Sequence, residues 1–194
     1  LLDENGTRHA APVRFDEIPE VMRHAMLAAE DKRFFSHGGI DLLAIARAAW
    51  DNARTGKIVS GASTIHQQLI KNATPRSGRR TFGVKLTEAL QARRLAMSWS
   101  REDVLAAYLS RISFGNNMTG ITTAASGYFH KPLGDLTPAE CALLAALPQS
   151  PTRWNPFREV KSILPRQRAI LEKMHAQGWL SAEQLQTALS QEIV

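Results

Sequence analysis

The sequence predicts a mainly α-helical fold on three observations. Apolar residues recur three and four positions apart in successive segments, which is the period of one helix face. Residues that start helices, such as Thr137-Pro138-Ala139-Glu140, stand before several of these segments. Glycine, proline and asparagine are concentrated between the segments, where they favour turns. Together these features indicate helices joined by loops, with no internal repeat.

Each predicted helix has a local justification. Pro19 suits the first turn of the first helix, where a missing N–H costs nothing, and Asp41 can cap the second. Ser100 begins a capping box, and Thr137 begins another before an apolar helix that ends at Pro148. The other helices are assigned from apolar spacing or polar faces. The expected helices cover residues 19–30, 42–53, 63–72, 84–97, 100–112, 121–129, 137–147, 165–177 and 181–191.

Composition limits the classes of protein to consider. The chain has 194 residues, of which 44% are hydrophobic, so that it can bury a core without disulfides. The only cysteine, Cys141, excludes a disulfide framework and a cysteine-rich metal site. The net charge of +6 favours an anionic partner, such as nucleic acid, a phospholipid surface or a phosphate-bearing substrate. No run of 18 apolar residues is present, so no membrane-spanning helix is predicted, and no signal peptide is expected.

Two segments carry more polar side chains than folding alone requires. Within residues 30–39, the adjacent carboxylates Glu30 and Asp31 end a helix, where the macrodipole disfavours negative charge. A solvated helix end tolerates this placement, and so does a functional site. Residues 61–72 place polar side chains on two helix faces, which suits sugar hydroxyls or phosphate oxygens as well as a solvated face. The two stripes are Ser63, Gln67 and Lys71, and Thr64, Gln68 and Asn72.

A basic segment, residues 71–94, contains a single acid, Glu88, among its bases. Glu88 follows Lys85 by three positions, so that the two share a helix face. A surface ion pair is the alternative to a role in positioning cations or substrate. The bases are Lys71, Arg76, Arg79, Arg80, Lys85, Arg93 and Arg94. A last segment, residues 108–131, is apolar and glycine-rich, and taken alone it indicates core.

In this order, the segments resemble the signature blocks of glycosyltransferase family 51. That family comprises the polymerase domains of bifunctional penicillin-binding proteins and their monofunctional relatives. Residues 30–39 meet the first block, Glu-Asp-x-x-Phe-x-x-His-x-Gly. Residues 61–72 meet every fixed position of the second, Gly-x-Ser-Thr-Ile-x-Gln-Gln-x-x-Lys-Asn. The other three blocks are represented within residues 84–88, 108–131 and 140–156.

Two positions depart from the family's pattern. Val84 stands where the third block has arginine, which removes a cation from the block that meets pyrophosphate, although Arg79 and Arg80 are near. Ser110 replaces the asparagine of the fourth block. We expect both departures to affect the rate of the reaction rather than its class.

The resemblance implies roles for individual residues. Glu30 is expected to be the catalytic base, and Lys71, Arg80 and Lys85 to meet the charge of a departing pyrophosphate. Glu88 is expected beside the leaving group as a second catalytic carboxylate, where it would hold a divalent cation, Mg or Mn. The other expected substrate-binding residues are Asp31, Phe34, His37, Arg47, Ser63, Thr64, Gln67, Gln68 and Asn72.

The resemblance also implies a fold, a reaction and a location. The fold would be a lysozyme-like helical glycosyltransferase domain at 15–158, between a linker or strand stub at 1–14 and a helical extension at 159–194. The reaction would polymerise lipid II into β-1,4-linked glycan strands, inverting the donor and releasing undecaprenyl pyrophosphate. Expected partners are lipid II, the nascent strand and the outer face of the cytoplasmic membrane. A transpeptidase domain in the full-length chain is expected if the protein is bifunctional.

Two other classes of protein are the alternatives. A lysozyme-like or lytic transglycosylase-type enzyme would cleave glycan with a glutamate acid and has a similar helical fold. The bases of residues 71–85 argue against it, since cleavage of a neutral bond gives no reason to gather cations. A helical nucleic-acid-binding domain would explain the charge but not residues 61–72, so no nucleic-acid partner is expected.

The expected membrane contact lies in residues 112–121. Its apolar side chains include Phe114 and Met118, which glycine and asparagine separate, and the bases Arg111 and Lys131 flank it. Apolar residues between bases suit an interface with anionic headgroups. The alternative is that these apolar side chains enter the core.

Overall fold

A computed structural model describes residues 8–9, 11–56, 62–74, 81–149 and 156–193. Most of this part of the chain is helical, so that the predicted mainly α-helical fold is confirmed. The helices are α1 (Glu20–Glu30), α2 (Leu42–Thr55), α3 (Ile65–Ala73), α4 (Phe82–Ser98), α5 (Arg101–Arg111), α6 (Ile121–Phe129), α7 (Pro138–Ala146), α8 (Pro156–Glu159), α9 (Leu164–Ala176) and α10 (Ala182–Ser190). Two short strands, β1 (Arg8–His9) and β2 (Met118–Thr119), pair in parallel.

The predicted caps determine where several helices begin. Asp41 accepts a hydrogen bond from a backbone N–H of α2 at 2.9 Å, and Ser100 accepts one from α5 at 3.0 Å. Thr137 forms a complete capping box at the start of α7. Five helices, α1, α3, α5, α7 and α10, start one or two residues later than predicted, because a residue expected in the first turn occupies the cap position instead, as Pro19 does before α1 and Thr64 before α3.

Helix α7 forms the centre of the core, since every residue from Ala139 to Ala146 is buried. Helices α1 and α9 both pack against it, and α3 packs against α5. The charged residue of α7, Glu140, accepts hydrogen bonds from Lys131 Nζ at 2.7 Å and from the N–H of Thr137 at 2.8 Å. A carboxylate is tolerated in this core because a cation and an N–H both satisfy it.

Helix α9 belongs to the same core. Its residues Ile170, Leu171 and Met174 are buried, and α10 packs on it in turn. His24 of α1 stacks on Trp179, between α9 and α10, with ring centroids 4.5 Å apart. The boundary after residue 158 stays a prediction. The packing of α9 on α1 brings polar side chains of α9 to the C-terminal end of α1.

The prediction that residues 112–121 expose apolar surface is wrong. Phe114 and Ile121 are 0% exposed, and Met118 is 2% exposed. The N–H of Phe114 donates to the carbonyl oxygen of Met118 at 2.9 Å, so that the intervening residues form a tight turn. The sulfur of Met118 lies against Gly127, where a β-carbon would collide with it. Glycine in α6 therefore admits Met118 to the core.

Ser110, which departs from the family's fourth block, has a structural role. Its hydroxyl oxygen accepts a hydrogen bond from the N–H of Val13 at 3.0 Å and donates to the carbonyl oxygen of Ala106 at 2.8 Å. The serine thus fixes the segment that precedes α1 to α5.

Helices α2 and α4 carry large apolar side chains that stay exposed to solvent. On α2, the buried residue is Ala48, so the larger apolar residues have little core to enter. No described helix is both long enough and apolar enough to span a bilayer. The exposed side chains of α2 are Leu42, Leu43, Ile45 and Trp50, and those of α4 and its C-terminal end are Leu86, Leu90, Met97 and Trp99.

Candidate active site

The carboxylate of Glu30, the last residue of α1, lies where three other helices meet. Its side chain is 11% exposed. The Gln68 side-chain amide, on α3, donates to Glu30 Oε2 at 2.9 Å, and Arg166 of α9 approaches Oε1 at 3.4 Å. Tyr108 of α5 donates to Gln68 Oε1 at 3.0 Å. The predicted base is therefore held by an amide and a guanidinium, which both donate hydrogen bonds to its carboxylate oxygens.

Arg166 is fixed independently of Glu30. Its Nε donates to the carbonyl oxygen of Ala146, at the end of α7, at 3.2 Å. Burial lowers the pKa of Arg166, and the charge of Glu30 opposes this effect. The arginine therefore gives the site a cation whose position depends on the core as well as on Glu30.

Asp31 and His37 connect the first block to the start of α3. His37 Nε2 lies 3.0 Å from both carboxylate oxygens of Asp31, and the N–H of Ile65 donates to Asp31 Oδ2 at 3.0 Å. Thr64 Oγ1 donates to the carbonyl oxygen of Gly39 at 2.7 Å. Since α3 carries Gln68, these buried contacts position the residue that contacts Glu30.

An aromatic cluster lies behind these contacts. Phe34 is 0% exposed, and its ring is 5.0 Å from that of His66 and 6.3 Å from that of His37. Burial, followed by the charge of His37, lowers the pKa of His66 to about 4. In the described part of the chain, His66 Nδ1 has no hydrogen-bond partner. The cluster therefore holds a neutral His66 at neutral pH.

A cleft with a cavity volume of about 530 Å³ opens beside Glu30. It lies between the end of α1, α2, the start of α3 and the end of α9. Burial and the charge of Arg166 lower the pKa of Lys173, which lines the cleft. Arg33 is paired with Asp41 at 3.4 Å. The charged residues that line the cleft are Glu30, Asp31, Lys32, Arg33, Asp41, Arg47, Asp51 and Lys173, and Ser63 and Thr64 complete the polar wall.

The structure places the other predicted site residues apart from this cleft or outside the described residues. Lys71 and Asn72, on α3, and Lys85, on α4, are exposed. Gln67 is buried, and its Oε1 accepts from the N–H of Thr64 at 2.9 Å, so that it caps α3. Glu88 is 6% exposed. Arg80 lies outside the described residues. The substrate-binding roles of all these residues stay predictions.

No metal centre made by the protein alone is found in the described ranges, because no three His, Cys, Asp or Glu side chains come together there. Glu88 is the carboxylate predicted to hold a divalent cation. Magnesium is commonly bound by one or two carboxylates together with substrate phosphates. A single protein carboxylate such as that of Glu88 fits a cation that arrives with a phosphate-bearing substrate.

Sequence reasoning did not identify Arg166, Lys173 or the contact of Tyr108. Arg166 and Lys173 lie beyond the signature blocks, in the segment that was predicted as an extension. Their spacing carried a signal, because positions 166, 170 and 173 follow one helix face and Ile170 is buried. A charged residue that shares a helix face with buried apolar residues is seldom fully buried unless it is paired.

Comparisons with known proteins agree with this architecture. A family model described as Transglycosylase matches residues 1–175. Penicillin-binding protein 1A of Neisseria gonorrhoeae is 40% identical over 188 residues, which are 97% of this chain and 23% of that protein. Penicillin-binding protein 1A of Pseudomonas aeruginosa is 36% identical over 193 residues, again 23% of its length. The chain therefore spans less than a quarter of these relatives.

The fold is also found in a solved structure. The crystal structure of penicillin-binding protein 1A from Haemophilus influenzae matches with a TM-score of 0.55 and 20% identity, over 98% of this chain and 20% of that one. At this identity the likeness concerns the fold alone. The family model, by contrast, covers most of the sequence. The chain belongs to the transglycosylase family of peptidoglycan glycosyltransferases, glycosyltransferase family 51, as its sequence blocks predicted.

Proposed function

We propose that the chain polymerises lipid II into β-1,4-linked glycan strands and releases undecaprenyl pyrophosphate. The observation that carries the proposal is the placement of Glu30, held by Gln68 and Arg166 at the edge of an open cleft. A carboxylate so held has a lone pair for an acceptor hydroxyl, and the cleft gives a sugar access to it.

In the proposed reaction, Glu30 takes the proton of the acceptor 4-hydroxyl as that oxygen forms a bond to the anomeric carbon of the donor. The bond from the anomeric carbon to pyrophosphate breaks in the same step, and its electron pair leaves with the pyrophosphate. A single displacement inverts an α-linked donor to a β-linked product. Glu30 then returns its proton to solvent.

Cations are needed where the pyrophosphate departs, because negative charge accumulates there in the transition state. Lys71 on α3 and Lys85 on α4 are exposed and belong to the blocks to which the family resemblance assigns this role. Arg166 contacts Glu30, and Lys173 lines the cleft. We propose that the exposed lysines meet the departing pyrophosphate and that the pair on α9 orients the substrate nearest the base.

A divalent cation, Mg or Mn, is part of the proposal. Glu88 would hold it together with the pyrophosphate oxygens of the substrate, where the cation would neutralise charge. Burial of Glu88 on α4 limits the water that competes for the carboxylate. The proton transfer assigned to Glu30 does not depend on the cation.

The membrane contact is proposed for α2 and α4 rather than residues 112–121. The lipid tail of the proposed substrate stays in the bilayer, so that the domain must work at a membrane surface. Trp50 is 70% exposed on α2, and Met97 is 76% exposed on α4. Burial of one such side chain in acyl chains is worth about 1.5–3 kcal/mol. We propose the outer face of the cytoplasmic membrane as the location, and a transpeptidase domain in the full-length chain if the protein is bifunctional.

An assay of products distinguishes polymerisation from glycan cleavage. The purified chain is incubated with labelled lipid II, and with purified glycan strands that carry no pyrophosphate, and the products are separated on gels. A ladder of long products from lipid II, with intact glycan strands, is the expected result. Shortened glycan strands without polymer would instead support a lytic enzyme.

A further inference from the structure

A chain of hydrogen bonds reaches the catalytic carboxylate from the interior of the domain. Tyr108, which is 0% exposed on α5, donates its hydroxyl proton to Gln68 Oε1 at 3.0 Å. Gln68 Nε2 then donates to Glu30 Oε2 at 2.9 Å. The three side chains come from α5, α3 and α1. Tyr108 thus acts on Glu30 indirectly, through the Gln68 amide, which accepts a hydrogen bond at its oxygen and donates one at its nitrogen.

The direction of this chain follows from the groups at its two ends. A carboxylate only accepts hydrogen bonds, so the amide NH₂ of Gln68 faces Glu30 and its carbonyl oxygen is left for the hydroxyl of Tyr108. Burial, together with the negative charges of Glu30 and Asp31, raises the pKa of Tyr108 well above its ordinary value. The hydroxyl therefore keeps its proton at neutral pH and can donate it to that oxygen.

We propose that Tyr108 is a positioning residue for the catalytic base, because it sets the orientation of the Gln68 amide. The proposal rests on the proposed function, in which Glu30 accepts a proton. In this orientation, an N–H of the amide donates to the carboxylate of Glu30 at the edge of the cleft. Without the phenol hydroxyl, the carbonyl oxygen of Gln68 loses this donor, so that the amide and the carboxylate that it holds are less well fixed.

Other charges that face Glu30 would be unchanged by the loss of the phenol hydroxyl. Arg166 and Lys173 face it from α9, and Asp31 and Lys32 adjoin it in the chain. These groups set the general electrostatic field at the carboxylate. A change seen on removal of the Tyr108 hydroxyl therefore reports the amide and not a redistribution of charge.

The experiment compares Tyr108→Phe, Gln68→Leu and the double variant in the polymerisation of lipid II. Tyr108→Phe is expected to lower kcat about tenfold, as loss of one buried hydrogen bond does, with little change in KM. In a Gln68→Leu background, Tyr108→Phe should cost nothing further, because the two residues act through one bond.

A matched control is Tyr128→Phe, which removes another buried phenol hydroxyl. Tyr128 donates to the carbonyl oxygen of Phe114 at 2.8 Å. Its loss should leave kcat unchanged even if it lowers stability. Thermal unfolding reports whether each variant folds. If Tyr108→Phe does not fold, Gln68→Leu replaces it, because this change removes the same N–H from Glu30 without adding a charge and must also lower kcat with little change in KM.

Two results would overturn the proposal while the wild type polymerises lipid II. One is a folded Tyr108→Phe, or Gln68→Leu, with the wild-type kcat. The other is an equal loss of kcat from Tyr108→Phe in the wild-type and in the Gln68→Leu background, which would mean that the tyrosine acts through packing alone. Failure of the proposed function is a separate result, since the wild type would then form no polymer.

Discussion

Loss of Arg166 tests whether the charge beside Glu30 is functional. The guanidinium Nη2 lies 3.4 Å from Glu30 Oε1, and the two side chains are 22% and 11% exposed. At an effective dielectric constant of about 20, Coulomb attraction at this distance is about 5 kcal/mol. Desolvation offsets much of it, as the lowered pKa of Arg166 indicates. A hydrogen bond between charged groups has a net value of about 1.5–3 kcal/mol.

Arg166→Gln is therefore expected to lower kcat/KM for lipid II about 10- to 100-fold. Arg166→Lys should restore part of the activity by restoring the charge. The control is Arg168→Gln, which removes the same group from an exposed position of α9. The values of kcat/KM are measured by steady-state kinetics on folded protein. Equal kcat/KM for Arg166→Gln and Arg168→Gln would refute the reasoning.

Three further predictions concern the lysines, the aromatic cluster and the membrane. Lys71→Ala and Lys85→Ala should each lower kcat/KM about tenfold with little change in Tm, because both side chains are exposed; a lower Tm with unchanged turnover would make either residue structural. Folding lowers the pKa of His66 to about 4, so between the ordinary pKa of histidine and pH 4 only the unfolded chain takes up a proton on this residue. Stability should fall by up to about 3 kcal/mol as pH falls through this range, and urea unfolding should show no such contribution in His66→Leu. Leu43→Ser with Trp50→Ser should weaken flotation with anionic vesicles at least tenfold, whereas equal binding would place the contact elsewhere.

The order and type of the helices could be predicted because apolar period and capping residues are local properties. Asp41, Ser100 and Thr137 cap the helices that they were expected to start. The burial of residues 112–121 was harder to predict, because an apolar segment with glycines suits both an exposed loop and a buried turn. The contact of Met118 with Gly127 decides between them, and no local pattern specifies it.

The candidate site was predictable where it follows the signature blocks and not where it depends on tertiary packing. Glu30 and Gln68 stand in those blocks, and the structure joins them by a hydrogen bond. Arg166 is separated from Glu30 by 136 positions, so that only the packing of α9 on α1 brings the two together. Asp31 and His37 were expected to bind substrate, and their observed contacts are with each other and with the start of α3.

The most direct test of the central claim is polymerisation of labelled lipid II by Glu30→Gln beside the wild type. The amide keeps the size of the side chain but cannot take a proton from the acceptor hydroxyl. Polymerisation by the wild type and a loss on the order of 10²-fold or more in the variant are predicted. Thermal unfolding must show that the variant is folded. A folded Glu30→Gln protein that forms glycan at near the wild-type rate would contradict the assignment of Glu30 as the base.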